Sequence, residues 1–479
     1  MSPPRRDGDE TTPLLSSTSH PPQDGEQAPV RTGATPLPRK QLFVLCLMRM
    51  TEPMSFTVIF PFVNAMLRAN LPASVPDSQL GYYAGVVESA FAFVQFLTIF
   101  FWARLSDRIG RKPVLLIGLL GSFLSVNAFG LARTFPQMVL ARSIAGLMNG
   151  NIAILKSVLA EITDETNQAR AFSLIPLCFA VGSIVGNGLG GWLVGVGEGQ
   201  WWKHHPFWLP CAVASSFNLC AIVLGSIFLQ ETLPRHKRSA HRTAQPAGSK
   251  DEDAPMSIRA LLGDVTIRRI LSTQFWLNFL NACHAALLPL FCYTAIAHGG
   301  LSLSSSDIGS ILATNGAFTI FIQLIAFPTL ERRLGGPAPV YKRVTAALPL
   351  VWLCFPLAHI IASTTGSKAG IVAVLLVAIV LRGISNMSIV CSSLLVNNAA
   401  PTRASLATLN SVSQMAGCLS RTIGPTFSTS LFAYSTSNHV WAGQFSWAVM
   451  WAISATAWLV TLRIQAPAKA AWRNQPRAS

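Results

Sequence analysis

An all-α membrane protein, with about twelve transmembrane helices in two pseudo-symmetric six-helix halves, is what three observations on the sequence predict. Hydrophobic residues make up 51% of the 479-residue chain and charged residues only 12%, with a mean hydropathy of +0.44. That leaves too little polar material to coat a soluble globule of this size. Apolar segments of spanning length recur from Leu42 almost to the C-terminus, and Lys and Arg gather in alternate connections. The two halves also place related residues at corresponding points.

In the first half the apolar segments fall at about 42–67, 79–103, 114–132, 136–160, 171–195 and 207–230. In the second they fall at about 271–298, 305–329, 344–364, 369–398, 404–434 and 439–463. Residues 1–40 are rich in Ser, Thr, Pro and charge, so they are expected to be a disordered cytoplasmic tail with no signal-peptide core. Within it, Glu10–Thr11–Thr12–Pro13–Leu14–Leu15 resembles an acidic dileucine sorting signal, which implies a vacuolar or endosomal address. The remaining units are a six-helix half at 41–230, a cytoplasmic linker at 231–269, a second half at 270–464 and a cytoplasmic tail at 465–479. Basic residues dominate the linker, and 257–269 is expected to form an amphipathic surface helix.

Orientation follows from counting the loops alternately. One set holds Arg104, Arg108, Arg111, Lys112, Arg170, Arg332, Arg333, Lys342, Arg343, Arg403 and the basic linker and tail; the other holds only Arg68, Arg133, Lys203 and Lys368. Both termini are therefore expected in the cytoplasm. The same distribution accounts for the net charge of +16 without nucleic acid. The nine cysteines lie mostly in apolar runs without metal-ligand spacing and read as packing residues. No cofactor is expected.

Internal correspondence supports related halves. Leu330–Glu331–Arg332–Arg333–Leu334–Gly335 is a faded counterpart of the loop around Leu105, Arg108 and Gly110. Gly186–Asn187 lies opposite Gly424–Pro425, and segments four and ten each carry one arginine, Arg142 and Arg382.

Ionisable groups inside a span are costly, so they mark candidate sites for substrate or protons. They are Arg49, Glu52, Glu88, Arg142, Arg382 and Arg421, with His284 in segment seven. Arg49 and Glu52, three apart, share a helix face and can neutralise each other. A desolvated carboxylate is the chemistry that carries a proton, so Glu52 and Glu88 are the candidates; Glu88 has no partner nearby in sequence and can meet Arg49 or Arg142 only across helices. A guanidinium does not readily release its proton, so Arg142 would tune a carboxylate or hold an anionic group. Arg49, His284, Arg382 and Arg421 stand as substrate-contacting or structural charges.

Between segments two and three, Ala103–Arg104–Leu105–Ser106–Asp107–Arg108–Ile109–Gly110–Arg111–Lys112–Pro113 resembles the loop signature of the major facilitator superfamily, G-x-L-x-D-R-x-G-R-K, with Ala103 in place of its glycine. The resemblance implies a secondary transporter and a gating role for Asp107, Arg108, Gly110, Arg111 and Lys112. Arg142 and Gly146 are similar to a fourth-helix pattern R-x-x-x-G associated with proton coupling. Gly182, Gly186, Asn187, Gly190 and Gly191 resemble the drug:proton antiporter signature G-x-x-x-G-P-x-x-G-G, with Asn187 where proline is usual. Glycines 182, 186 and 190 fall on one helix face and let a neighbour approach closely. Glu52–Pro53, Phe60–Pro61, Trp102 and Glu231–Thr232–Leu233–Pro234 look like the fungal and plant branch of zinc-induced-facilitator-like transporters.

A proton-coupled exporter of a small organic molecule, such as a drug, toxin or secondary metabolite, is the expectation this resemblance implies. A nutrient or metal-chelate carrier and a transporter-like sensor are the rivals. Its expected partners are a small-molecule substrate, protons and the lipid bilayer of the plasma or vacuolar membrane, with a monomer as the expected assembly. No nucleotide loop, HExxH or G-x-S-x-G is present, so an enzyme is not expected.

Overall fold

The computed structural model describes residues 38–163, 167–197, 199–232, 258–401 and 403–464. The expected tails fall almost wholly outside these residues, as does most of the linker. Helices account for nearly all of the described chain, and nine of them are long and apolar enough to cross a membrane. The three other expected segments are helical too, two of them broken midway and the third rich in hydroxyl groups.

The first segment is two helices, Arg39–Thr57 and Val63–Asn70. They are interrupted at 58–62, where Pro61 has no N–H to give and the chain passes in tight turns such as Phe60 N–H to Thr57 O. The fourth is Phe135–Leu147 and Asn151–Ile162. Its break at 148–150 is fastened from the second helix, where Trp102 Nε1 donates to Leu147 O at 2.5 Å and Gln95 Nε2 to Asn149 O at 3.2 Å. The eleventh, Arg403–Ser437, is one long helix rich in Ser and Thr.

Elsewhere the expected boundaries shift for local reasons. Residues 104–109 are not a loop: the second helix runs Leu80–Ile109, the third starts at Arg111, and the reversal rests on Gly110 alone. Its φ of 114° is open to glycine and strained for other residues. The single surface helix expected at 257–269 is divided by Asp264, whose carboxylate accepts the Thr266 N–H at 2.6 Å and starts the seventh span, Val265–Tyr293. The twelfth helix begins at Phe445 rather than 439, because His439, Trp441 and Ala442 have positive φ. The eighth span carries a π turn at Ile322–Ala326.

Helix neighbours repeat between halves. The first span packs on the fifth as the seventh does on the eleventh, the third on the sixth as the ninth on the twelfth, and the second against the fourth as the eighth against the tenth. The halves meet through the second and eleventh spans and through the fifth and eighth.

Those seams lie at the end of the bundle away from the chain termini, here called the distal end. Ser89 Oγ accepts from Thr426 Oγ1 at 2.8 Å and from Thr426 N at 3.2 Å, Ser437 Oγ donates to Ser78 Oγ at 3.1 Å, and Trp192 Nε1 donates to Ser310 Oγ at 3.0 Å. Glycines make the approach possible. A Cβ on Gly81 would sit 2.5 Å from Thr429 O, and one on Gly191 2.6 Å from the Gly309 Cα.

Candidate functional site

Helix geometry decides which side chains face the space between the halves. On the eleventh span, Leu419, Ile423, Phe427 and Tyr434 form one exposed apolar row, the face expected against lipid. Arg421 and Gln414 lie on a different strip, between the face packed on the seventh span and the face that meets the second. Both are exposed, whereas Ser428, two turns further on that strip, is fully buried. On the fifth span Pro176, Ser183 and Asn187 run from exposed through half-buried to buried in the same direction. The inner faces are therefore accessible from the terminal end and closed at the distal end.

The glycine face of the fifth span is used as its spacing predicts. A Cβ on Gly182, Gly186 or Gly190 would strike Met50, Met54 or Val58 of the first span, while Gly191 faces Gly309 of the eighth. Asn187 continues the helix unbroken, is buried, and leaves its Oδ1 without a hydrogen bond.

Arg49 and Glu52 form the ion pair their spacing allows, at 2.6 Å, with the Phe179 ring 5.2 Å from the Arg49 guanidinium. Glu52 and Arg142 line one small cavity of about 20 Å³ with Ser55, Ser122 and Asn151. Arg142 is buried, and its guanidinium carbon lies 4.7 Å from the Phe91 ring centre and 5.2 Å from that of Phe56. Contacts of this kind hold a cation in place without consuming its N–H groups; Nε and Nη2 of Arg142 have no hydrogen-bond partner. Glu88 is buried on the second span, on the side between the fourth and eleventh spans, and interacts electrostatically with Arg142. No ion pair closes between them. The N-terminal half therefore holds two carboxylates around one ring-clamped guanidinium.

The second half repeats the layout with different chemistry. Arg382 donates to Asn281 Oδ1 at 2.5 Å and lines a small cavity of about 10 Å³ with His284 and Asn315. His284 is packed beside Trp352 and Phe355. Among the described residues the carboxylates deep within the spans are Glu52 and Glu88, both in the first half; Asp307 and Glu331 sit near the two ends of the eighth span.

At the terminal end, the signature turn is tied to two other helices. Glu231 accepts the backbone N–H of Arg111 at 2.9 Å and of Lys112 at 3.2 Å, so a residue after the sixth span caps the start of the third. Arg111 reaches Ser106 Oγ at 2.7 Å and Glu161 at 3.5 Å, Lys112 Nζ donates to Ser226 O at 2.8 Å, and Thr232 donates to Glu161. Arg108 is exposed. The side chain of Asp107 lies outside the described residues. Replacing Glu231 with Ala should destabilise the protein by about 1–2 kcal/mol, read as a lower midpoint in thermal unfolding followed by tryptophan fluorescence; Glu231→Gln, which keeps an acceptor, should lose less.

Three residues have surroundings that the sequence reading did not assign. Glu161 and Glu231 are visible as acids at helix ends, but their shared partner is a turn far away in sequence. Lys156, on the fourth span, is half-buried and interacts electrostatically with Arg49.

Comparison with known proteins agrees with this architecture. A family model described as Major Facilitator Superfamily matches residues 45–425. The chain is 33% identical to the major facilitator-type transporter psiT2 of Psilocybe cyanescens, covering 93% of this chain and 94% of that protein. It is 32% identical to the efflux pump azaK of Aspergillus niger, covering 89% and 88%. Among solved structures, the D-xylose–proton symporter matches with a TM-score of 0.67 at 14% identity, over 90% of this chain and 98% of that one.

Proposed function

The chain belongs to the major facilitator superfamily, and on that premise we propose that it is a proton-coupled secondary transporter that exports a small organic molecule by alternating access. The observation that carries this reading is the pairing of a bundle closed at its distal end with Glu52, Glu88 and Arg142 inside the first half. A carboxylate beside an unsaturated guanidinium can take up a proton on one side and release it on the other, because moving the halves changes its exposure to water and to Arg142. The relative named an efflux pump supports outward movement.

The terminal end carries Arg104, Arg108, Arg111, Lys112, Arg332, Arg333, Lys342 and Arg343, against Arg68, Arg133, Lys203 and Lys368 at the distal end. The positive-inside bias supports a cytoplasmic terminal end, and on that reading this is the inward-open state of a plasma- or vacuolar-membrane transporter. Asp107 and Arg111 would hold the cytoplasmic helix ends in the opposite state. The domain limits at 41–230 and 270–464 define the two rocking bodies.

Proteoliposomes with an imposed pH gradient test the coupling. Glu88→Gln should lose about tenfold or more of gradient-driven flux while keeping exchange of substrate across equal pH, since binding and rocking survive but the proton site does not. Glu52→Gln should lose less, because Arg49 already occupies that carboxylate. Unchanged gradient-driven flux in both variants would refute the assignment.

A further inference from the structure

We propose that Cys46 and Cys178 form a two-thiol site for a soft, thiophilic metal ion, with Cu(I) as the ion whose chemistry fits it. Packing of the first span on the fifth brings the two residues together. A Cβ on Gly182, Gly186 or Gly190 would meet the backbone oxygen of Met50, Met54 or Val58, so the two helices run side by side in one register, turn for turn. One turn back along both, the same register sets Cys178 opposite Cys46. The close approach that glycine allows further along is filled here by two sulfurs. Both thiols are free and half-buried, they hydrogen-bond to each other, and they line one small cavity of about 10 Å³ together with Arg49.

That cavity is the size of a single small ligand, and an organic molecule does not fit it. Apart from the two sulfurs and Arg49, its walls are Leu, Ile and Ala side chains of the first, fourth and fifth spans. Hard cations that need several oxygen ligands find none there. Zn(II) needs four ligands, and among the described residues no group of three or more His, Cys, Asp or Glu is placed to hold a metal. A soft monovalent ion is satisfied by two thiolates, the ligand type that selects Cu(I). On binding, each thiol gives its proton to solvent, and Cu(I) with two thiolates carries one net negative charge. An unpaired charge among apolar walls is costly. Arg49 supplies the counter-charge: Glu52 holds its Nη1 at 2.6 Å, yet the buried Nε has no acceptor, and the Phe179 ring beside Cys178 lies 5.2 Å from the guanidinium. The site lies within one half and does not rest on the transport reading.

Anaerobic titration of the reduced, purified full chain with Cu(I), in competition with the chelator bathocuproine disulfonate, tests the site through the colour lost from the chelate. The wild type should take up a Cu(I) that Cys46→Ser and Cys178→Ser each hold about a hundredfold or more weakly. The double variant should lose no more than either, because the two ligands act as a unit. Cys220→Ser, which removes an exposed thiol of the sixth span, should bind as the wild type does, and excess Zn(II) should not compete. Protection gives the same reading without any variant: bound Cu(I) should slow iodoacetamide labelling of Cys46 and Cys178 at least about tenfold in peptide mass spectra, and leave Cys220 labelling unchanged. Uptake unaltered by either serine, losses that add as for two independent thiols, displacement by Zn(II), or labelling of the pair unaffected by Cu(I) would each overturn the site.

Discussion

Gly191→Leu and Gly309→Leu should each reduce transport by about tenfold to a hundredfold while leaving a folded, membrane-inserted protein. A Cβ on Gly191 would lie 2.6 Å from the Gly309 Cα and 2.8 Å from Ser305 O; one on Gly309 would lie 2.6 Å from the Gly191 Cα and 2.8 Å from Asn187 O. Backbone stands on both sides, so no side chain can swing away. Overpacking of this kind costs about 1–3 kcal/mol, and here the cost falls only on the distally closed state, because the contact is between halves and not within one. A penalty confined to one of two states moves the population by the corresponding factor. A cysteine placed at Ser310, beside Trp192 in the same seam, should react faster with an impermeant maleimide when Gly191 is enlarged. Gly190→Leu is the contrasting case. Its new side chain would strike Val58 O within the first half, so loss of folded protein is expected. Normal cycling and unchanged labelling with Gly191→Leu would show that the distal seam does not gate.

Arg142→Ala carries the second large effect. The substitution removes contacts to two aromatic rings, each worth roughly 0.5–2 kcal/mol, and leaves Glu88 buried without the cation it faces. Gradient-driven flux should fall by about a hundredfold, on the scale of removing one partner from a buried charge pair. Arg142→Lys should not rescue it, since an ammonium cannot lie flat between Phe56 and Phe91 while keeping several N–H groups free. Arg382→Ala, in the half where the described carboxylates lie only near span ends, should affect substrate binding more than the response to a pH gradient. Comparing flux under a gradient with exchange at equal pH for both variants separates the two roles.

The Arg49–Glu52 pair and the glycine face of the fifth span were legible in the sequence because each depends on spacing along one helix, which fixes relative position whatever the surroundings. The meeting of Glu88 with Arg142, rather than Arg49, was not legible, since it depends on how two helices are rotated against each other. Lys156 carried no local signal at all: no carboxylate lies within four positions of it, and only the approach of the first span gives it a charged neighbour. Glu231 looked like part of a motif after the sixth span, and its task is to cap a helix more than a hundred residues earlier.

By itself the sequence determined that this chain enters a membrane, where its spans lie and which loops carry the positive charge. Insertion reads each segment's hydropathy and flanking charges nearly independently, so a one-dimensional string contains the answer. Only the tertiary structure decided which faces meet: that glycines close the distal seam, that two rings clamp Arg142, and that a residue after the sixth span caps the third. Helical periodicity assigns a residue to a side of its own helix, but its partner is set by packing of many helices at once, and that information lies in no single stretch of chain.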